Sequence, residues 1–352
     1  IIPKGDINRY NIIGIDPCQG IVKSIFINGI EYNENKEINL RQIHIPAKDS
    51  ENTIITVSNS LKNVSISIVM AYYNRKPQTL QTLKGFEKMY SGKYNFEVII
   101  VDDNSNDENR LEEDIKQFTF LINLIVITAE EKGDRRNPCI VYNKGFAEAI
   151  GDIIIIQNPE CYHYTNLLEK IITIELYNNY YTAPVISSPS YEHNHFVTNH
   201  TLSSSEIIDY LQEENLNSPY HYCKGWYNHP SLSKPPESRH LHFCSVIHRN
   251  NLDILMGFDE NYKNGSWFDD NEFLFRIKKF LKCYFLDSLV IHQFHEGGSA
   301  VEIQNPLLRG KISANQKLYN ELQKTNNNEC ITWNYTKLPK INYRKRKNTK
   351  SI

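Results

Sequence analysis

From residue 64 onward, short hydrophobic runs alternate with stretches in which apolar residues recur at helical spacing, and this alternation predicts an α/β sheet. The predicted strands cover residues 64–71, 96–101, 121–127, 153–156 and 284–291, and regular structure is also expected at 244–248. The fourth, IIII, is so uniformly apolar that we expect it to be buried on both faces.

Helical spacing predicts the segments between and after these strands. Predicted helices cover residues 77–90, 270–281 and 305–324, and another begins after Asn137-Pro138, where asparagine is a helix cap and proline suits the first helical position. Residues 187–240 are polar and irregular, and we interpret them as long loops.

The N-terminal stretch has a different pattern. Residues 1–62 contain short alternating segments, 21–27 and 52–57 among them, separated by polar turns, which predicts a small antiparallel β unit. We interpret it as an extension of the main domain, with a carbohydrate-binding module as the alternative. The predicted organisation is an N-terminal β region at 1–62, an α/β domain at 63–300 and a C-terminal helix with a basic tail at 301–352.

Composition and charge limit the partners. The formal net charge of the 352 residues is −2, so no global field attracts nucleic acid, and we expect the basic segment 340–350 (KINYRKRKNTK) to be a solvated terminus. The seven cysteines form no CxxC pair, which favours a reducing compartment such as the cytoplasm. No apolar run approaches the ~20 residues that span a bilayer. Because the chain begins at Ile1 rather than methionine, the expected localisation is cytoplasmic or unknown.

Polar side chains follow three of the predicted strands. The first strand runs into AYYNR at 71–75, the second into DDNS at 102–105, and the fourth into QNPE at 157–160. In an open α/β sheet, ligands bind beyond the carboxyl ends of strands, so we expect these three strand ends to form a site.

The residue types favour a nucleotide. A carboxylate accepts hydrogen bonds from a base imide or a ribose hydroxyl, and Tyr73 offers an aromatic surface for a base. The basic side chains available for a pyrophosphate are Arg75, Lys132, Arg135 and Arg136. No GxGxxG or GxxxxGK[ST] motif occurs, which excludes the dinucleotide-binding and P-loop interpretations. The phosphates would then need a metal ion together with basic side chains.

A family resemblance rests on several of these segments together. The runs SIVMAYYNR, EVIIVDDNSND and NKGFAEAIGDIIII resemble the nucleotide-binding half of family-2-type glycosyltransferases with the GT-A fold. The later segments HFCSVIHR and GFDENYKNGSWFDDNEFLFR resemble the acceptor half with its acidic "ED" motif. The resemblance covers roughly residues 64–296. It implies an α/β fold with a Rossmann-like mixed sheet flanked by helices, to which the small N-terminal β unit and a C-terminal helical extension are added.

The resemblance also implies the nucleotide contacts. Asp103, with Asp102 beside it, matches the aspartate that contacts uracil, and Ala71 and Tyr73 match positions that line the base pocket. The complete set of expected nucleotide-binding residues is Ala71, Tyr73, Arg75, Asp102, Asp103, Arg136 and Asn158.

The expected metal site departs from the family pattern. Glu160 falls where the family has the last aspartate of its DxD motif, and Asn158 replaces the first. In the family this motif holds Mn²⁺ or Mg²⁺ on the diphosphate. His292, at the end of the last predicted strand, is the expected further ligand in preference to His295, and imidazole suits Mn²⁺ better than Mg²⁺.

The catalytic base implied by the resemblance is Asp270, at the start of a predicted helix, where the helix dipole favours the ionised form. Asp269 is expected beside it on the acceptor side. Trp226 and Trp267, both next to glycine-containing segments, are expected to stack on the acceptor sugar.

These expectations describe an inverting transferase. It would move a sugar of the glucose, galactose or N-acetylglucosamine type from a UDP-sugar to a hydroxyl of a glycan, glycoprotein or lipid-linked acceptor. The alternative is a non-catalytic sugar- or nucleotide-binding protein derived from a transferase, which the replacement at Asn158 motivates. Self-association into a homo-oligomer is left open, and no nucleic-acid partner is expected.

Overall fold

A computed structural model describes residues 25–27, 30–32, 65–135, 137–217, 223–232, 239–296 and 305–325. They fall into two compact units. In one of them, β1 (Ile25–Ile27) and β2 (Ile30–Tyr32) pair as an antiparallel hairpin. This agrees with β structure in the N-terminal stretch, whereas the strand expected at 52–57 lies outside the described residues. The other unit contains the described residues from 65 to 319, and all that follows concerns it.

This larger unit contains strands and helices in alternation. Its strands are β3 (Ile66–Tyr72), β4 (Phe96–Asp102), β5 (Leu121–Val126), β6 (Ile153–Gln157), β7 (Cys161–His163), β8 (Asn179–Thr182), β9 (Val185–Ser187), β10 (Trp226–Asn228), β11 (Cys244–His248), β12 (Lys282–Phe285) and β13 (Val290–His292). The helices are α1 (Lys76–Tyr90), α2 (Ala129–Lys132), α3 (Cys139–Glu148), α4 (Leu167–Ile171), α5 (Tyr191–Asn199), α6 (Ser204–Leu216), α7 (Arg249–Leu255), α8 (Asp269–Phe280) and α9 (Pro306–Thr325), the last continuing beyond the unit. None of the helices in the described ranges is long and apolar enough to cross a bilayer.

The strands form two sheets. The larger has the order β12-β8-β11-β6-β3-β4-β5, with β3, β4, β5 and β6 parallel and β11 antiparallel to both β6 and β8. The smaller has the order β10-β9-β13-β7. The predicted α/β fold with a mixed sheet flanked by helices is confirmed. The parallel order brings the carboxyl ends of β3, β4 and β6 to one edge of the large sheet.

The core lies on both faces of the large sheet, as the uninterrupted apolar strands require. All five residues of β6 and all seven of β4 are buried, which confirms the expectation for residues 153–156. Helix α3 packs closely on β3 and β4 at Gly145, where an added Cβ would come within 2.4 Å of a Val69 methyl carbon. A glycine is needed there because no side chain fits between helix and sheet.

Two of the expected elements are wrong. Residues 284–291 form no single strand, because β12 ends at Phe285 and β13 begins at Val290 in the other sheet, with the turn-forming Asp287-Ser288 between them. Residues 187–240 are also not long loops, since α5 and α6 lie there. The signal was present, because Ser203 and Glu206 form a capping box at the start of α6.

Candidate active site

The ends of β3 and β4 are joined by hydrogen bonds. The backbone N–H of Asp103 donates to the Tyr72 carbonyl (2.8 Å), and that of Asn74 donates to Ser105 Oγ (3.0 Å). In return, Asn74 Oδ1 accepts a bond from the Asn106 N–H (3.0 Å). Two of the three predicted strand ends therefore lie side by side, with Asn74 in the left-handed conformation (φ 50°) that asparagine tolerates.

The two aspartates that end and follow β4 have different surroundings. Asp102 is fully buried, and its Oδ1 accepts a hydrogen bond from the Ser105 N–H (2.7 Å). Its Oδ2 lies 3.6 Å from Arg110 Nη1. Because a carboxylate bonded to the turn and shielded from solvent cannot reach a base, Asp102 holds the loop in place.

Asp103 faces basic side chains instead. Its Oδ1 is ion-paired with Arg135 Nη2, and its Oδ2 lies 3.8 Å from Lys132 Nζ. Burial raises the pKa of the Asp103 carboxyl, and the two neighbouring cations oppose that rise. Lys132 and Arg135, two of the basic residues considered for a pyrophosphate, are thus both bound to Asp103.

Among the other expected nucleotide residues, Tyr73 is the most exposed, at 49%. Lys132 Nζ lies 3.4 Å from the centroid of the Tyr73 ring, a cation–π contact that covers one face. Ala71 is half-buried, and half-buried Arg75 donates to the Asn74 carbonyl (3.1 Å). Arg136 lies outside the described residues.

One carboxylate and two imidazoles converge beyond the end of β6. His292 Nε2 lies 3.2 Å and His295 Nε2 3.6 Å from Glu160 Oε1, and one ligand atom from each of the three residues lies within 4.8 Å of the others. This donor set of one oxygen and two nitrogens fits a divalent ion such as Mn²⁺. The structure thus brings Glu160 and His292 together as expected, and it adds His295, which the sequence analysis ranked second.

The charge state of Glu160 suits a cation. Burial by itself would raise the pKa of Glu160, but hydrogen bonds and charge from His292 and His295 outweigh it and hold that pKa well below its usual value. Glu160 is therefore ionised, as a carboxylate ligand must be, while the two imidazoles must be neutral to bind a metal.

The pairing of β7 with β13 explains why the three ligands meet. In that antiparallel pair His292 is opposite Cys161, the residue after Glu160. The next residue, Gln293, donates from its backbone to the Glu160 carbonyl (3.0 Å) and from its side chain to the same carbonyl (3.1 Å). The Gln293 amide also donates to the Gln78 carbonyl of α1 (3.0 Å).

Phe294 is fixed from two sides. Gln78 Nε2 donates to the Phe294 carbonyl (2.9 Å), and Asn194 of α5 donates to the same carbonyl (2.9 Å). Asn194 Oδ1 also accepts the Phe294 N–H (2.7 Å). No sequence pattern indicates the roles of Gln293 and Asn194, because their hydrogen-bond partners lie far away in sequence. These residues hold the segment that carries both histidines.

Asn158, the residue that replaces the first DxD aspartate, is not part of this cluster. Its Oδ1 accepts a hydrogen bond from the buried Tyr142 hydroxyl (3.0 Å), and its N–H donates to the Phe243 carbonyl (3.0 Å). A neutral amide suits this position because the tyrosine hydroxyl donates to it. The candidate metal-binding group of Glu160, His292 and His295 does not include Asn158.

A pair of carboxyl groups begins α8. Asp269 is buried, its Oδ1 accepts from Asn137 Nδ2 (3.0 Å), and its Oδ2 has no hydrogen-bond partner within the described ranges. Burial, followed by the neighbouring charge of Asp270, raises the pKa of Asp269 to about 7. Burial raises the pKa of half-buried Asp270 as well, and backbone hydrogen bonds together with the charge of Arg239 oppose that rise.

Asn137 has a second role that the sequence analysis did not identify. Besides accepting the Cys139 N–H at the start of α3 (3.1 Å), it donates to the Trp267 carbonyl (3.2 Å) as well as to Asp269. It therefore links the nucleotide-side helix to the carboxyl pair. Trp267 and Phe268 both have positive φ (61° and 65°), so the backbone is strained immediately before this pair.

The two tryptophans differ in burial. Trp267 is half-buried in that strained loop and remains a candidate for acceptor contact. Trp226 is only 3% exposed, packs in a core cluster with Ile186 and Leu211, and stacks on His229 at 4.0 Å between ring centroids. A stacking platform needs an exposed face, so its position does not support the expected role for Trp226. Its strand, β10, is held inside by pairing with β9.

A comparison with protein families identifies the matching segment. Residues 67–232 match the family described as glycosyl transferase family 2. The predicted resemblance to family 2 glycosyltransferases is thereby confirmed. The matched residues include Tyr73, Asp103 and Glu160 but end before His292 and Asp270, so the acceptor half of the candidate site lies beyond the match.

Solved glycosyltransferase structures are distant from this chain. Residues 1–349 of TarS from S. aureus align with a TM-score of 0.40 and 16% identity over 65% of this chain and 58% of that chain. The mannosyltransferase PcManGT from Pyrobaculum calidifontis, solved with GDP-Man and Mn²⁺, aligns with a TM-score of 0.43 and 14% identity over 68% and 60%. GalNAc-T7, solved with UDP, GalNAc and Mn²⁺, gives 0.44 and 17% over 66% and 44%.

The aligned region thus covers less than two thirds of each of these solved chains. No curated protein sequence matches this chain. The family 2 match is therefore the specific finding, and the arrangement of Asp103, Glu160 and Asp270 must be interpreted from the residues themselves.

Proposed function

We propose that the chain is an inverting glycosyltransferase that moves a hexose from a UDP-sugar to a hydroxyl of a glycan, glycoprotein or lipid-linked acceptor. The observation that carries the proposal is the convergence of Glu160, His292 and His295 beyond β6, and Glu160 lies in the segment that matches family 2. One carboxylate and two imidazoles whose ligand atoms lie within 4.8 Å of one another are a donor set that suits a divalent transition-metal ion.

Asp103 and Tyr73 are proposed to bind the nucleotide. An ionised carboxylate can accept the imide N–H of uracil, and Arg135 beside it can donate to a ring carbonyl. Tyr73 offers the ring face that Lys132 leaves uncovered. Ala71, Arg75 and Arg136 remain proposed contributors to the same pocket, and Asn158 acts through its hydrogen bond with Tyr142.

Glu160, His292 and His295 are proposed to hold the divalent ion. An ion bound there would offset the negative charge of the diphosphate leaving group. The proposal no longer depends on an aspartate at position 158, which was the main argument for a non-catalytic relative. Mn²⁺ is expected to bind more tightly than Mg²⁺ because two of the three ligands are imidazoles.

Asp270 is proposed as the general base. It takes the proton of the acceptor hydroxyl while the acceptor oxygen forms a bond to the anomeric carbon, and the bond from that carbon to the diphosphate oxygen breaks as its electron pair leaves with UDP. Its raised pKa makes it a stronger base than an exposed aspartate. Asp269, held by Asn137, is proposed to lie on the acceptor side and to tune the ionisation of Asp270.

A donor panel tests this proposal. The protein would be incubated with UDP-glucose, UDP-galactose or UDP-N-acetylglucosamine, and with GDP-mannose to test whether the nucleobase must be uracil. Each incubation would contain Mn²⁺ or a chelator, and release of the nucleoside diphosphate would be measured. We expect Mn²⁺-dependent UDP release from at least one donor, its loss in Glu160→Gln, and its retention in the exposed control Glu169→Gln on α4. Folded protein that is silent with every donor would favour the non-catalytic alternative.

A further inference from the structure

The His242 ring packs against two aromatic side chains just before β11. It packs edge-on against Tyr142, with 5.2 Å between ring centroids, and against Phe258 at 4.8 Å. Tyr142 and Phe258 in turn stack on one another at 5.2 Å. The ring of His242 is therefore fixed in orientation, and only 9% of the residue is exposed.

Within the described part of the chain, neither ring nitrogen of His242 forms a hydrogen bond or an ion pair, and neither is among the fully enclosed side-chain atoms that lack a partner, so both can be reached from solvent. Buried His163, by comparison, has both nitrogens occupied, Nδ1 by the Tyr90 hydroxyl (2.8 Å) and Nε2 by Gln157 Oε1 (2.7 Å). The ring nitrogens of His242 are therefore free to hydrogen-bond a ligand, whereas those of His163 are not.

The chemistry of the ring indicates an uncharged, hydroxyl-bearing ligand. Burial lowers the pKa of His242 to about 3, so the ring is neutral and presents one N–H donor and one nitrogen acceptor. A hydroxyl can both donate and accept, whereas a phosphate oxygen would favour a cationic partner. Sugar hydroxyls therefore suit this side chain better than the diphosphate.

The neighbours of His242 connect it to both halves of the candidate site. Tyr142 donates to Asn158, two residues before Glu160, and burial together with the charges of Glu160, Asp269 and Asp270 raises the Tyr142 pKa well above its usual value. His242 therefore contacts Tyr142, a residue whose pKa responds to the charges of both the metal-ligand cluster and the carboxyl pair.

Phe258 gives the second connection, because it packs on Phe273 of α8 at 4.5 Å, in the helix that Asp269 and Asp270 begin. A sugar being transferred must extend from the diphosphate to the general base. We propose that His242 hydrogen-bonds a hydroxyl of that sugar and so helps select the donor, an inference that rests on the proposed function.

Binding measurements with and without the sugar test this inference. The dissociation constants of UDP and of the UDP-sugar that the donor panel identifies would be measured by calorimetry, in the presence of Mn²⁺, for the wild type, His242→Ala and His242→Asn. We expect His242→Ala to weaken the UDP-sugar about tenfold, as a lost hydrogen bond of about 1.4 kcal/mol does, and to change UDP less than twofold. His242→Asn, which keeps a donor and an acceptor, should recover part of the loss.

The control is His195→Ala, since His195 is an exposed histidine on α5 and should change neither constant. Equal weakening of UDP and UDP-sugar would overturn the inference, because it would indicate a general loss of structure. An unchanged UDP-sugar constant with a raised KM for the acceptor would overturn it too, by assigning the hydroxyl to the acceptor. Wild-type protein that binds neither ligand would instead refute the proposed function, and the inference with it.

Discussion

The side-chain amide of Asn194 forms two hydrogen bonds with the main chain of Phe294, donating to its carbonyl (2.9 Å) and accepting its N–H (2.7 Å). Phe294 lies between the two histidines of the Glu160 cluster. Asn194 thus forms with Phe294 the pair of main-chain hydrogen bonds that a neighbouring strand would form in a sheet. These bonds hold the loop after β13 and position the two histidines that are proposed metal ligands.

This relationship predicts the effect of Asn194→Ala on metal affinity. Without the amide, the segment from His292 to His295 loses two hydrogen bonds, and we expect Mn²⁺ to bind about tenfold more weakly. Titration of the metal-free protein with Mn²⁺, followed by electron paramagnetic resonance, measures this directly. Asn199→Ala, an exposed asparagine on the same helix, is the control. Unchanged Mn²⁺ affinity in folded Asn194→Ala would contradict the positioning role.

The proposed base is tested by Asp270→Asn. Removing the proton acceptor should lower kcat by about 10²- to 10⁴-fold while the dissociation constant of UDP stays near the wild-type value, since Asp270 does not contact the nucleotide in the proposal. Activity would be measured by UDP release and binding by calorimetry. Asp209→Asn, an exposed aspartate on α6, should leave both unchanged. Full activity in Asp270→Asn would eliminate this assignment.

The pKa of Asp269 predicts how stability depends on pH. Folded Asp269 keeps its proton up to about pH 7, whereas an unfolded aspartate loses it near pH 4, so between these values the folded state binds more protons and its stability falls as the pH rises. Asp269→Asn removes that loss and can still accept the bond from Asn137.

We therefore expect Asp269→Asn to be more stable than the wild type at pH 8, by on the order of 2 kcal/mol, and the difference to shrink toward pH 4. Chemical denaturation at a series of pH values gives the comparison. A stability difference that is the same at pH 4 and pH 8 would show that the carboxyl does not titrate in this range.

The two tryptophans should respond differently to truncation. Trp226→Ala removes a buried ring from the cluster with Ile186 and Leu211, and we expect it to cost about 3–5 kcal/mol of unfolding free energy. Trp267→Ala should instead raise the KM for the acceptor, with a smaller change in stability. Denaturation curves and acceptor kinetics of both variants separate the two roles, and a stable Trp226→Ala with impaired acceptor use would restore the stacking interpretation.

Much of the site could be predicted because its residues follow strands. Short, strongly apolar runs such as 98–101 and 153–156 favour buried strands, and polar residues directly after parallel strands come to the same sheet edge. Asp103 and Glu160 were found in this way, and the acidic start of α8 was found from helical periodicity. Helices α5 and α6 were not predicted, because their polar composition shows no clear apolar periodicity and the Ser203–Glu206 capping box of α6 was not used.

The sequence by itself determined the α/β alternation, the resemblance to family 2 glycosyltransferases and the residue types at the strand ends, because these depend on local periodicity and on motif order. The tertiary structure alone decided that His295 joins Glu160 and His292, that Arg135 pairs with Asp103, and that Trp226 is buried. Each depends on which elements pack together: β7 against β13, the loop before α3 against the end of β4, and β10 against β9. Contacts between residues far apart in the chain are set by strand pairing and side-chain packing, which leave no mark on the spacing of residues along a single sequence.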